Sequence, residues 1–133
     1  MTPTLTSLDH LVLTVQSIDA TIEFYQTVLG MKSETFVGTD GSQRFAVLFG
    51  DQKINLHQTG SEFDPKAHAP TPGSADLCFL SSTDLTVWLA HLSFCNVQLE
   101  DGPIQRTGAI GPIRSLYIRD PDRNLIEISN PMY

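Results

Sequence analysis

A chain of 133 residues, 41% hydrophobic and 17% charged, has the composition of a soluble globular protein. It is long enough to bury roughly two-thirds of its unfolded surface without staples. A formal net charge of −7 argues against nucleic acid and anionic membrane surfaces as partners. No apolar run approaches the ~20 residues of a membrane span, and Met1 to Ser7 lack the basic and apolar regions of a signal peptide. Cys78 and Cys95 have no metal-type spacing and read as two buried thiols in a reducing compartment. The expectation is a cytoplasmic protein of one domain.

Taken in order, Leu8 to Val15 alternates as a strand, with Leu11, Leu13 and Val15 on one face and His10, Val12 and Thr14 on the other. Ser17 suits a helix N-cap with Asp19 in the first turn. Ile18, Ile22, Tyr25 and Leu29 recur at helical spacing, and Gly30 ends the helix. Met31 to Val37, Arg44 to Phe49 and Lys53 to Gln58 read as three strands separated by turns at 38–42 and 50–52. In the last of them Ile54 and Leu56 face one way, Asn55 and His57 the other. Residues 59–73, with Gly60, Pro65, Pro70, Pro72 and Gly73, read as a linker; His68 within it is a solvated histidine.

From Ser74 the same order returns. Ser74 to Leu80 is a strand with Asp76 and Cys78 opposite Leu77 and Phe79. Ser82, Thr83 and Asp84 can cap a helix carrying Leu85, Trp88, Leu89 and Leu92. Val97 to Glu100 reads as a short strand, 101–112 as a glycine- and proline-rich loop, Ile113 to Arg119 as a strand and Asn124 to Ser129 as the last. Between the final two, Asp120-Pro121 suits the opening of a type I turn. Alternation then sets Glu127 opposite Ile126 and Ile128.

The chain is therefore a tandem repeat of strand, helix and three strands: a first module over 5–58, the linker over 59–73 and a second module over 74–130. Counting along the repeat matches His10 with Asp76 and His57 with Glu127. All four are metal-binding residue types, and all four lie opposite large apolar residues of their own strands. Two imidazoles and one or two carboxylates suit a borderline divalent ion such as zinc, nickel, manganese or iron. Asn55, Arg106, Tyr117, Arg119 and the Phe45, Val47, Phe49 face are candidate lining for the same cavity.

The stretches LDHLVL at 8–13, Phe24-Tyr25 with Leu29-Gly30-Met31, and SLYIRDPDRNLIE at 115–127 resemble the vicinal-oxygen-chelate superfamily of glyoxalases, bleomycin-resistance proteins and extradiol dioxygenases. The narrower likeness is to a group of glyoxalase-domain-containing proteins with bacterial virulence-associated members. The resemblance implies an α+β fold of two βαβββ modules forming a cupped mixed sheet, and often a homodimer. It implies one divalent metal per site, with His10 and Glu127 as ligands. Glyoxalase I enzymes place a carboxylate where this chain has His57, and they and the fosfomycin-resistance and extradiol enzymes place a histidine where it has Asp76. The expected first ligands are His10, His57 and Glu127, with Asp76 a fourth ligand, a supporting partner or a base. The implied activity is a metal-dependent lyase or isomerase acting on a small α-oxo substrate, in some members a thiol adduct. Glu127 or Asp76 would move the proton and the 101–112 loop would serve as a lid. The alternatives are an Fe(II) extradiol-type dioxygenase and a non-catalytic protein that binds a drug or other small molecule.

Overall fold

The computed structural model describes residues 1–133 and divides into two compact units, residues 1–71 and 72–133. Each unit holds one βαβββ repeat. The first contains β1 (His10–Val15), α1 (Ile18–Thr27), β2 (Lys32–Val37), β3 (Gln43–Phe49) and β4 (Gln52–Gln58). Its four-stranded sheet runs β1-β4-β3-β2, with β1 parallel to β4 and the other neighbours antiparallel. The second contains β5 (Asp76–Leu80), α2 (Leu85–Phe94), β6 (Asp101–Thr107), β7 (Pro112–Arg119) and β8 (Leu125–Pro131). Its sheet runs β5-β8-β7-β6 in the same sense. The architecture is α+β, in two mixed sheets rather than one.

Alternation decides the faces. In the first unit Leu13, Val15, Val47, Ile54 and Leu56 are buried together with Thr21, Tyr25 and Val28 of α1. Ser17 caps that helix as its sequence requires, its Oγ accepting from the Ala20 N–H at 3.1 Å. In the second unit Leu116, Ile118, Ile126 and Ile128 are buried with Leu85 and Leu92 of α2. The cap of α2 is Asp84, whose Oδ1 accepts from Thr86 N–H at 2.8 Å. Asn130 of β8 docks the helix start: its Oδ1 accepts from Leu85 N–H, and its Nδ2 donates to the carbonyls of Ser81 and Thr83.

Three expectations need correction. Residues 97–100 form no strand, and β6 instead runs through the stretch read as a loop, 101–107. Pairing there is broken by a bulge between Asp101 and Ile104, where Gly102 sits at φ +100° and any Cβ would strike the Ser115 carbonyl. Glycine and proline here mark a bulged edge strand over 101–107. Finally, Phe45, Val47 and Phe49 share their face with Ile54 and Leu56; they belong to the core side of the sheet, not to a cavity.

The 59–73 segment is irregular, as expected, but it is tied to the first sheet. Phe63 meets His57 edge-on at 5.4 Å between ring centroids and lies 3.9 Å beneath the Arg44 guanidinium.

The most strongly specified element is the turn between β7 and β8. Arg123 N–H donates to the Asp120 carbonyl at 2.9 Å, closing the four-residue turn. The buried Asp120 carboxylate accepts from the N–H groups of Asp122 and Asn124 through Oδ1 and from Asn124 Nδ2 through Oδ2. Asn124, 1% exposed, spends its Oδ1 on the Ala75 N–H, just ahead of β5, at 2.9 Å. Asn124→Ala removes both bonds and strands a backbone donor, so it should cost about 1–3 kcal/mol. Urea unfolding should show a lower midpoint at unchanged slope.

Candidate functional site

The pairing register of each unit fixes which polar residues are neighbours. In the first unit His10 lies opposite Lys53, Val12 opposite Asn55 and Thr14 opposite His57. His10 and His57 share a sheet face but stand four residues apart along it, about 13 Å at the usual rise. Within this unit the ladder holds the two histidines apart rather than side by side.

The second unit explains why the count misled. Here Asp76 lies opposite Leu125, and Cys78 opposite Glu127. If His10 matches Asp76, the same ladder matches Glu127 with Asn55, and His57 with Ser129. The helix caps support this alignment, since Ser17 and Asp84 follow His10 and Asp76 at nearly equal distance. His10 and Asn55 thus form a diagonal pair across β1 and β4, and Asp76 and Glu127 the equivalent pair across β5 and β8, each with Cα atoms roughly 8 Å apart. Asn55 Oδ1 is buried without a hydrogen-bond partner, which is costly for an amide oxygen unless something donates or coordinates there.

Glu127 is the most elaborately held of the four. Ser115 Oγ donates to its Oε2 at 2.5 Å, and Ser129 Oγ approaches the same oxygen at 3.4 Å. The two serines are fully buried and 2.7 Å from each other. Sequence reasoning passed over both. The signal was there: Ser115 and Ser129 fall on the Glu127 face of their strands by simple alternation. The hydrogen bonds all bear on one carboxylate oxygen and leave Oε1 for another partner, the arrangement of a ligand oriented from behind. His10 shows a weaker version. Its Nδ1 sits 2.8 Å from Asp9 Oδ2, which leaves Nε2 open.

Glu127 opens onto a cavity of about 540 Å³ within the second unit, lined also by Cys78, Leu80, Arg106, Ile110, Ile113, Tyr117 and Tyr133. Arg106 Nε donates to Tyr117 Oη at 3.0 Å. Of the expected lining residues, Arg106 and Tyr117 are therefore present. Arg119 is not: its Nε and Nη2 each bond the Glu100 carboxylate at 2.8 Å. Asn55 belongs to the first unit. Asp76 is exposed at the edge strand β5 and does not line the cavity.

Cys78 is exposed rather than buried. Its Sγ lies 3.3 Å from Ser129 Oγ. Desolvation of the thiol, reinforced by the neighbouring Glu127 and Asp76 carboxylates, pushes its pKa up against the Ser129 hydrogen bond. It is a neutral thiol on the wall, not a thiolate nucleophile.

Within neither unit do three His, Cys, Asp or Glu side chains gather at metal-holding spacing. The second unit offers two carboxylates, one of them backed by hydroxyl donors. The first offers one histidine with a carboxylate behind it and an orphaned amide oxygen. These are nitrogen and oxygen donors of the kind a borderline divalent ion takes, and each unit presents its own pair.

His57 has a different character. It is 8% exposed, and burial, with the Arg44 charge adding to it, holds its pKa below the ordinary histidine value. The neutral ring is favoured in the folded chain, so protonation favours unfolding. Stability should fall as the pH drops below about 6.5 through the folded-state value. Urea unfolding at pH 7.5 and pH 5 should show a larger loss in wild type than in His57→Gln.

Comparison with known proteins follows this geometry. Residues 7–128 match the family model described as glyoxalase/bleomycin resistance protein/dioxygenase superfamily. The chain is 54% identical over 122 residues to virulence protein STM3117 of Salmonella typhimurium, covering 92% of this chain and 82% of that one. It is 53% identical over 124 residues to glyoxalase domain-containing protein RDO1 of Mycosarcoma maydis, covering 93% and 68%. A solved protein from the mobile metagenome of V. pseudocholerae superposes with TM-score 0.94 at 50% identity over all of both chains. More distant likenesses, a lactoylglutathione lyase from Agrobacterium tumefaciens (TM-score 0.68, 20% identity, 95% and 94% covered) and the antibiotic-binding protein TnmS3 from a Streptomyces species (0.74, 21%, 98% and 99%), show the fold alone.

Proposed function

Because the chain belongs to the glyoxalase/bleomycin resistance protein/dioxygenase superfamily, we propose that it is a metal-dependent lyase or isomerase of glyoxalase type, acting on a small α-oxo substrate. The observation that carries this reading is Glu127, a cavity carboxylate anchored through Oε2 by two buried hydroxyls. A bare surface glutamate needs no such support.

The residues proposed for metal binding are Asp76 and Glu127 in the second unit and, at the equivalent positions of the first, His10 and Asn55. A divalent ion held by them would supply Lewis-acid stabilisation of negative charge on adjacent substrate oxygens. The residues of the chain do the rest. The serine pair fixes the Glu127 carboxylate through Oε2; its other oxygen, when released from the ion, takes the proton from the carbon beside the carbonyl and returns it to the neighbouring carbon. Tyr117 and Arg106 present hydroxyl and guanidinium donors within the same cavity. The buried side chain of Ile113 gives the cavity an apolar floor beside them.

A non-catalytic binding protein is the second reading, favoured by the lack of three metal-type side chains within either unit. In that case the largely apolar cavity wall would be the whole site, and Glu127 a polar anchor.

Elemental analysis after mild chelation and reloading separates the two. The enzyme reading predicts tightly held divalent metal in wild type and in His57→Ala, and reduced metal content in Glu127→Ala and in His10→Ala. Wild type without tightly held metal sinks it. Ser115→Ala should keep the fold but weaken metal retention about 10- to 100-fold, the usual effect of removing a group that orients a ligand, checked by competition with a fluorescent chelator.

A further inference from the structure

The cavity of the second unit has one cation on its wall. Arg106 projects from β6, and a single protein hydrogen bond, from Nε to Tyr117 Oη, holds it. Its guanidinium carbon lies 5.5 Å from the Tyr117 ring centroid. Nη2 stays 3.9 Å from Asp101 Oδ2, beyond hydrogen-bond length. A guanidinium carries five N–H donors in a planar fork, so the terminal donors of Arg106 have no protein acceptor. Tyr117 in turn sits directly opposite Glu127 in the β7–β8 ladder. The same short strands therefore carry a free, oriented positive fork and, one strand pair away, an anchored carboxylate. Ile113 is the buried apolar wall beside them, with Leu80, Ile110 and Tyr133 exposed around the opening.

Two charges of opposite sign at two places on one cavity wall impose a polarity on whatever binds. The end near Arg106 must be anionic and planar to use the fork in two-point fashion. The end near Glu127 must not be anionic, or it must carry hydrogen-bond donors or neutral oxygens. The carbon chain between must be short and apolar, to fit about 540 Å³ with aliphatic and aromatic walls. The protein as a whole is strongly acidic, so an anion gains nothing from long-range attraction and must be held by this local contact.

We propose that the cavity takes a short-chain carboxylic acid bearing an oxo or hydroxy group beside the carboxylate, gripped through its carboxylate by Arg106 and turned so that the carbon carrying the mobile hydrogen, C2 of a hydroxy acid or C3 of an oxo acid, faces Glu127. This names the substrate class for the glyoxalase-type reading above and rests on it for the chemistry. The recognition itself is independent of any metal.

The test is therefore made on chelator-treated, full-length protein by isothermal titration calorimetry. The probes are 2-oxoisovalerate and its uncharged methyl ester. Wild type should bind the acid at least about tenfold tighter than the ester. Arg106→Gln should lose that preference by weakening the acid alone, and Arg106→Lys should recover part of it as a point charge without the fork. Equal binding of acid and ester by wild type, no binding of the acid at 10 mM, or an unchanged acid affinity in Arg106→Gln each overturns the assignment. The ester arm needs no variant, so a misfolded mutant does not blunt the test. Should the acid bind through Arg106 while metal loading or turnover fails, the lyase reading falls and the carboxylate pocket stands.

Discussion

The carboxylate of Asp120, buried and bonded to two backbone N–H groups and the Asn124 amide, is the constraint on which the second unit depends. A buried carboxylate with three donors specifies one geometry, because a missing partner would leave a desolvated charge. That geometry sets the β7–β8 hairpin in a single register. Asn124 then carries the specification to the Ala75 N–H, so β5 enters beside β8 in a fixed place as well. A slip of one residue would turn every side chain of β8 to the other face. Glu127 meets Tyr117 on one side and Cys78 on the other because this turn leaves no alternative.

Register also decides what the polar residues can do. A face shared between strands is necessary for two side chains to meet, and it is not sufficient; their offset along the ladder matters equally. His10 and His57 satisfy the first condition and fail the second. Asp76 and Glu127 satisfy both within a diagonal step. The first unit repeats that diagonal with His10 and Asn55, so the repeat is better preserved in geometry than in residue type. What stands where the second unit has its anchored carboxylate is an amide with a buried, partnerless oxygen. Behind Glu127 are Ser115 and Ser129; at the position of Ser129 in the first unit is His57, held neutral against Phe63. The two units have thus put different chemistry on one frame.

Much of this frame is legible in the sequence. Period-two alternation placed every strand face in β1, β4, β5, β7 and β8, and Ser17 and Asp84 marked both helix starts, with the β7–β8 turn readable from Asp120-Pro121. Three things were hidden for physical reasons. The strand β6 was obscured because its bulge needs Gly102 in a conformation that normally ends strands. The match of His57 to Glu127 failed because counting residues through a repeat absorbs insertions silently, whereas hydrogen-bond pairing does not. The placement of Phe45, Val47 and Phe49 failed because both faces of β3 are apolar, so alternation carried no sign. Cys78 was assigned to the interior on residue type alone, and a thiol on an open sheet face cannot be told from a buried one without its neighbours.

The central claim is that ladder register selects His10, and not His57, as the metal-type histidine. Histidine side-chain ¹⁵N NMR on the intact protein, recorded before and after one equivalent of Zn²⁺, addresses it directly. Coordination shifts the bonded imidazole nitrogen and fixes the tautomer, and the two rings have distinct surroundings. The account predicts that His10 Nε2 moves and its Nδ1 stays protonated towards Asp9, while both nitrogens of His57 keep their positions. Movement of the His57 resonances with His10 unchanged would contradict it, and would return the site to the far end of the β1–β4 ladder.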